Sequence, residues 1–354
     1  MTKTDERLRT AIVGLGWVGT HQGRAIAEHP RGEVTAVCDL SEEQMKKFAG
    51  ELEGDPKFYT DYEEMCRDSD IDAVFVGTPN QTHEPVGLEA IKNGKHVLMT
   101  KPLAGSEDAA RRLVEAAENE GIVNMMSLST RFDGPCAYLK DLAEDGYFED
   151  LYYARAWHIR RRGIPTGFSD IKDISPDQGF IQKGGGSLRD IGVHVLDAAW
   201  ALLGMPKPIA AMGVAGAKFG TRGEKFWDEA RAEDFHTQDY GSGFVKFENG
   251  VGLQLDSFWA SHHPEEKQIE IFGTKAGARL DPLKIFRTEN EGEQDIDVSL
   301  PEGPKPFERI ADHFIECVLD GEDCKAPLHQ GLTVQRMLEA ILESSEKGKA
   351  IYLD

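Results

Sequence analysis

Apolar positions in the first third of the chain alternate between two rhythms. Short runs rich in branched residues, "LRTAIV" (8–13), "EVTAVCDL" (33–40), "DAVFVGTP" (72–79), "KHVLMT" (95–100) and "IVNMMSL" (122–128), read as buried strands. Between them the spacing becomes helical. One helix follows "GLG" and is stopped by Pro30, a second is capped by Ser41, a third closes at Gly94, and a fourth runs from Ser106 to Gly121. Strands and helices in such regular alternation predict a parallel, doubly wound sheet ending at about Ser129.

From about Thr130 the texture changes. "LYYARAWHIRRR", "GSGFVKFENGVGLQLDSFWA" and "KQIEIFGTKAGARL" are strand-rich, with hairpin signals at Asn249-Gly250 and at Lys275-Ala276-Gly277. The expectation is an α/β Rossmann domain over 1–129 and an α+β domain with a large open, mainly antiparallel sheet over 130–354. A last helical stripe, Val334, Met337, Leu338, Ile341 and Leu342, predicts a packing helix near the end.

Charge and cysteine usage narrow the function. With 62 acidic against 40 basic residues, the net charge of −22 repels phosphate backbones and anionic headgroups, so neither nucleic acid nor a membrane is an expected partner. The polar opening "MTKTDERLRT" and the lack of a long apolar run predict a cytoplasmic protein acting on a small molecule. Cys38, Cys66, Cys136, Cys317 and Cys324 are scattered without a CxxC pair, so they are expected as reduced thiols, and no metal is expected.

Gly14-Leu15-Gly16-Trp17-Val18-Gly19 matches GxGxxG between a strand and a helix, where glycines permit a tight turn and close approach of backbone to a pyrophosphate. Asp39 ends the second strand, where a carboxylate can accept hydrogen bonds from a ribose diol. It would repel a 2′-phosphate, so NAD is preferred over NADP. A helix-preceding cap is the competing role for Asp39. Thr78, Pro79, Asn80 and His83 lie at the carboxyl end of the third strand read here and are candidate cofactor contacts, against a plain turn with capping chemistry.

"GGGSLRDIGVHVLD" (184–197) sets Asp190, His194 and Asp197 at helical spacings behind three glycines. Asp190 and His194 can project together as an acid/base pair. Asp197 could add a third ligand for a metal, but it reads better as a partner orienting His194 or as a packed residue at the domain boundary. The glycines suggest close approach of a substrate. In "AWHIRRRGIP", Trp157 as a stacking platform with Arg160 or Arg162 as donors are candidates for recognising a polyhydroxylated or acidic substrate, although strand alternation lets only part of this cluster face one site, and pairing with acidic surface or a subunit interface is the preferred reading of the arginines.

The order GLGWVG, VFVGTPNQTH, KHVLMTKPLA, GGGSLRDIGVHVLD resembles the Gfo/Idh/MocA oxidoreductase family over essentially the full chain. The resemblance implies a Rossmann domain joined to an α+β domain whose sheet supports homodimers or homotetramers. It also implies NAD(P)-dependent transfer of a hydride to or from a secondary hydroxyl of a sugar or cyclitol, with Lys101, Asp190 and His194 as the catalytic set. Thr100 stands where the family usually has a glutamate before Lys-Pro. Two alternatives stay open: an NAD-using elimination enzyme of the glycosidase type, and a non-catalytic Rossmann sensor.

Overall fold

The computed structural model describes residues 6–165, 180–222, 232–290 and 292–353. The chain divides into two compact units, one of Met1–Ser129 with Pro304–Thr333, the other of Thr130–Gly303 with Val334–Asp354.

In the first unit, β1 (Leu8–Val13), β2 (Gly32–Cys38), β3 (Lys57–Tyr59), β4 (Ala73–Val76), β5 (His96–Thr100) and β6 (Asn124–Ser127) form one parallel sheet ordered β3-β2-β1-β4-β5-β6. This is the doubly wound order, with the strand sequence reversing between β1 and β4. The intervening helices are α1 (Trp17–Glu28), α2 (Glu42–Ala49), α3 (Tyr62–Cys66), α4 (His83–Lys92) and α5 (Glu107–Glu120). The expected caps are formed: the Ser41 and Ser106 side chains accept the Gln44 and Ala109 amides, and Gly121 closes α5 with φ at 63°. All four residues of β4 are buried, as required of a strand covered on both faces.

The second unit contains α6 (Gly134–Glu144), β7 (Leu151–Ile159), a π-helical turn over Leu188–Gly192, α7 (Val193–Leu202), β8 (Pro208–Gly216), β9 (Tyr240–Phe247) and β10 (Gly252–Phe258). It continues through β11 (Glu266–Gly273), β12 (Ala276–Arg279), β13 (Lys284–Glu289) and β14 (Gly292–Asp297). After α8 (Pro306–Leu319) and α9 (Leu328–Lys347), the chain ends in β15 (Ile351–Tyr352). The nine strands are ordered β14-β13-β12-β11-β7-β10-β9-β8-β15, and every pair is antiparallel but β7 with β10. Asn249 and Gly250 make the β9–β10 turn with φ of 59° and 82°. The β11–β12 turn falls on Thr274-Lys275, one residue before the signal read from sequence, because Ala276 already pairs with Arg287.

α7 is mostly apolar, with His194 and Asp197 its two polar positions, and buries Val195, Leu196, Ala199 and Leu202 in one core with Ala154 and Ala156 of β7 and Leu253 and Leu255 of β10. Even-numbered β7 positions therefore face α7, and odd ones face the other side of the sheet.

The division at 1–129 and 130–354 needs one correction. Residues 304–333 pack with the first unit, because α8 buries Ile310, Phe314 and Ile315, and Leu328 joins the core of the parallel sheet. α8 carries a clear amphipathic pattern in "PFERIADHFIECVL" that sequence reading passed over.

Candidate active site

The first unit supplies a dinucleotide turn. Gly14 has φ at 83°, and a Cβ there would meet the Gly77 carbonyl carbon at 2.9 Å; a Cβ on Gly19 would stand 1.8 Å from the Gly14 oxygen. These two glycines let α1, the turn and the end of β4 close on one another. Gly16 differs, since a Cβ there would meet nothing within 4 Å. Gly16 starts α1 without a side-chain cap, and no acidic residue lies in the helix's first turn. Its N-terminal amides and dipole thus face an open approach suited to a phosphate. Trp17 is 67% exposed beside this turn, with its ring 4.3 Å from His21 and 5.7 Å from Phe307, and Val18 is half-buried.

Asp39 holds the turn from the end of β2. Its Oδ2 accepts the Leu15 amide at 2.8 Å and its Oδ1 the Ser41 amide at 2.9 Å. Asp39 thus braces the turn and the entry to α2, whose cap is Ser41, and each of its carboxylate oxygens keeps a further lone pair.

After β4, the Thr78 Oγ1 and both amide atoms of Gln81 are buried without a protein partner. Buried polar atoms of this kind, at the carboxyl ends of parallel strands, are what a polar ligand would satisfy. Gln81 escaped sequence reading because glutamine inside "PNQTH" is indistinguishable from turn polarity. Pro79 and Asn80 are half-buried, and Asn80 opens a short 3₁₀ turn. The open Gly16 approach, the uncapped α1 and these orphaned atoms together fit an NAD(P) dinucleotide.

His83 must be reassigned. It is fully buried, its Nδ1 lies 2.8 Å from the Pro102 carbonyl and its Nε2 2.7 Å from the Thr78 carbonyl. Burial pulls its imidazole below the usual range, against the two carbonyls that favour the cation. With both nitrogens facing protein carbonyls, one of which the neutral ring's single N–H can reach, His83 sits between the loop after β4 and the loop after β5 and is used up there. Lys101 follows β5 directly and is half-buried, and its peptide bond to Pro102 is cis.

In the second unit the three glycines close a turn on their own surroundings. Gly184 and Gly186 have φ of 87° and 100°; a Cβ on Gly185 would lie 1.9 Å from the Phe180 oxygen, and one on Gly186 2.2 Å from the Gln238 side chain. Close packing against Phe180 and Gln238 accounts for them, in place of the substrate approach expected from sequence. The π-helical turn that follows carries Asp190, and α7 carries the half-buried His194 four residues on. Widened turns of this type recur at functional sites. Asp190 Oδ2 accepts the indole N–H of the buried Trp259 at 2.8 Å. Ser187 and Ser257 clasp the same turn onto β10, each hydroxyl donating to the other's backbone carbonyl at 3.1 and 2.8 Å.

Asp197 is neither a metal ligand with Asp190 nor a partner of His194. It is buried, and the Arg131 guanidinium donates to both its oxygens, Nε at 3.0 Å. Burial pushes the Asp197 carboxyl up while the Arg131 charge pulls it back. Arg131 was missed because the pair is separated by 66 positions.

The "AWHIRRR" cluster also divides. Trp157 sits at an odd β7 position, donates its indole N–H to Glu266 at 2.9 Å and lies beside Arg155. It is on the sheet face opposite α7, so it cannot contact a substrate held by Asp190. His158 is the residue on the α7 side. Burial, with the neighbouring Arg160 and Lys267 cations, pushes its imidazole down to about 4, while nearby Asp190 opposes the shift. His158, Arg160, Glu266 and Lys267 line a groove of about 240 Å³. Arg162 is exposed and forms an isolated backbone bridge with Ala260.

Comparison with known proteins now decides the family. The pattern described as "Oxidoreductase family, NAD-binding Rossmann fold" matches residues 8–127, and the "GFO/IDH/MocA C-terminal domain" matches 136–279. The chain belongs to the GFO/IDH/MocA oxidoreductase family. It is 30% identical to D-glucoside 3-dehydrogenase of Escherichia coli (strain K12) over 363 residues, covering 99% of each chain. Identity is 24% to D-xylose 1-dehydrogenase (NADP(+)) 2 of Haloferax volcanii, covering 97% of this chain and 99% of that one. It is also 24% to scyllo-inositol 2-dehydrogenase (NAD(+)) of Bacillus subtilis (strain 168), covering 99% and 97%. This GFO/IDH/MocA protein is thus an oxidoreductase with an NAD(P)-binding domain, and its relatives differ in the nicotinamide cofactor they use. Among the described residues no helix is long and apolar enough to cross a membrane.

Proposed function

We propose that the protein is an NAD-dependent dehydrogenase of a secondary hydroxyl, or of the matching ketone, in a sugar, cyclitol or related glycoside. The observation that carries this reading is the Asp190 carboxylate locked by the buried Trp259 indole, four residues before the half-buried His194. When bound, NAD would supply the hydride acceptor. Gly14, Gly16 and Gly19 with α1 would hold its pyrophosphate, Asp39 its ribose diol, and Thr78 with Gln81 the polar edge beyond β4.

Lys101, as an ammonium, donates a hydrogen bond to the reacting oxygen and stabilises its developing negative charge. His194 accepts the hydroxyl proton, since imidazole is the side chain whose ordinary titration lies nearest neutrality. Asp190 favours the imidazolium so formed and orients it. Arg160 stays a donor toward a polyhydroxylated substrate, and His158 joins it where Trp157 was expected to stack. Glucosides, xylose and scyllo-inositol, which appear in the relatives' names, are the substrates to try first.

The same reading includes a homodimer or homotetramer built on the second unit's sheet. Met212, Val214 and Phe244 are 56%, 52% and 42% exposed on its outer face, an apolar patch of the kind interfaces cover.

The test is a panel of glucosides, free sugars, cyclitols and their keto forms followed by NADH absorbance. Net NADH formation from a hydroxyl substrate supports the reading. Turnover without net NADH favours the elimination enzyme, and ligand binding without turnover favours the sensor.

A further inference from the structure

A second cluster of chemically competent side chains lies in the first unit, remote from the dinucleotide turn along the sheet. His313 and Cys317 are four residues apart on one face of α8, and Cys324 follows in the loop after it. Both α8 residues are buried, and Cys324 is half-buried. Ligand atoms of the three all lie within 4.8 Å of one another, as do those of His313, Glu316 and Glu322.

The spacing matches a tetrahedral ion. Zinc bonds of about 2.3 Å to sulfur and about 2.0–2.1 Å to nitrogen, at a tetrahedral angle, set sulfur and nitrogen about 3.5 Å apart. Cys317 Sγ lies 3.5 Å from His313 Nε2. The donor set is also the right kind, because thiolate and imidazole select zinc over the hard cations that carboxylate clusters attract. His313 Nε2 accepts the Lys325 amide at 2.9 Å, a bond that ligation would exchange for the metal.

We propose that His313, Cys317 and Cys324 bind one Zn²⁺, with a solvent molecule in the fourth position. Binding breaks two S–H bonds, forms two metal–sulfur bonds and releases both protons to solvent, with no change of oxidation state. The site is structural. Cys324 Sγ donates to the Asn124 carbonyl and the Leu328 amide donates to Asn124 Oδ1, and Asn124 begins β6, at the end of the sheet opposite Lys101 and the glycine turn. The bound thiolate no longer donates to Asn124, so the ion would exchange that contact for a tie from the loop after α8 back to His313 and Cys317, beside the start of β6. This assignment departs from the expectation of no metal, because His-x₃-Cys-x₆-Cys is not a spacing that sequence patterns flag. It is independent of the proposed substrate.

The experiment uses the full chain, stripped with a chelator under reducing conditions and titrated with Co²⁺ and then Zn²⁺. The expected result is one equivalent of Co²⁺ giving thiolate-to-cobalt charge transfer with tetrahedral d–d bands, bleached by Zn²⁺, and a melting temperature that rises with added Zn²⁺. Cys324→Ser, at a half-buried loop position, should weaken Zn²⁺ binding by more than about 100-fold, beyond the loss usual for an outer-shell partner. Absence of a cobalt–thiolate band from reduced wild-type protein would overturn the proposal. So would binding unchanged in Cys324→Ser, or a Cys317–Cys324 disulfide forming in air in protein that takes up no metal.

Discussion

The indole N–H of Trp259 donates to the Asp190 carboxylate at 2.8 Å, joining the residue after β10 to the π-helical turn before α7. A hydrogen bond to a charged acceptor is worth about 1.5–3 kcal/mol, and it holds Asp190 in one orientation. Trp259 is therefore a positioning residue. If the bond is used fully in the transition state, Trp259→Phe should lower kcat by about 10- to 100-fold, at about 1.4 kcal/mol per factor of ten. KM should change much less, and the acidic limb of the kcat profile should move as Asp190 loses its donor. Steady-state kinetics across pH, with melting temperatures to separate folding loss, check this; a fall in stability with kcat and its profile unchanged would reduce Trp259 to packing.

Asp39 accepts the Leu15 and Ser41 amides from the end of β2, and in the proposed function its carboxylate receives the ribose diol and repels a 2′-phosphate. Wild-type protein should bind NAD more tightly than NADP. Asp39→Ala should weaken NAD and narrow the discrimination, with some loss of stability from the two freed amides. Fluorescence titration with both cofactors decides it, and a wild-type preference for NADP would remove the assignment.

Burial, with the Arg160 and Lys267 cations beside it, pushes the His158 imidazole from its ordinary 6.5 down to about 4 in the folded chain. As pH falls below 6.5 the unfolded chain binds a proton that the folded chain refuses until about 4. Unfolding is thus favoured progressively across that window, and the stability present above it is lost. His158→Gln should flatten the fall in melting temperature between pH 6.5 and 4. Parallel wild-type and variant curves would show that His158 is not held neutral.

The strand–helix alternation of the parallel sheet, its helix caps and the glycine turn were legible because each rests on local chemistry: Ser41 and Ser106 cap, Gly121 closes, and Gly14 and Gly19 permit close backbone contact. What escaped depends on partners distant in sequence. Arg131 with Asp197, Trp259 with Asp190, and His83 between two carbonyls are created by the fold, not by spacing. Trp157 shows the limit within a single strand. Alternation predicts that Trp157 and His158 face opposite ways, but only the packing of α7 tells which face holds Asp190.

Phe244 and Met212 are cross-strand partners on the outer face of the large sheet, and both are substantially exposed. Phe244→Asp should convert the proposed oligomer to monomer without changing the melting of the isolated chain by more than about 1 kcal/mol equivalent, as surface substitutions usually behave. Sedimentation velocity of wild type and variant is the check. A wild-type monomer, or an oligomer indifferent to Phe244→Asp, would place the interface elsewhere or remove it.

In the proposed function His194 and Lys101 perform proton transfer and charge stabilisation on a secondary hydroxyl. The most direct measurement is turnover of His194→Ala and Lys101→Ala on the best substrate of the panel, with NAD affinity and folding measured in the same preparations. General-base loss should lower kcat by about 10²–10⁴-fold in His194→Ala, with a fall of similar order in Lys101→Ala. NAD affinity should change little in either. Near-normal turnover in both variants, folded and binding NAD, would contradict the account.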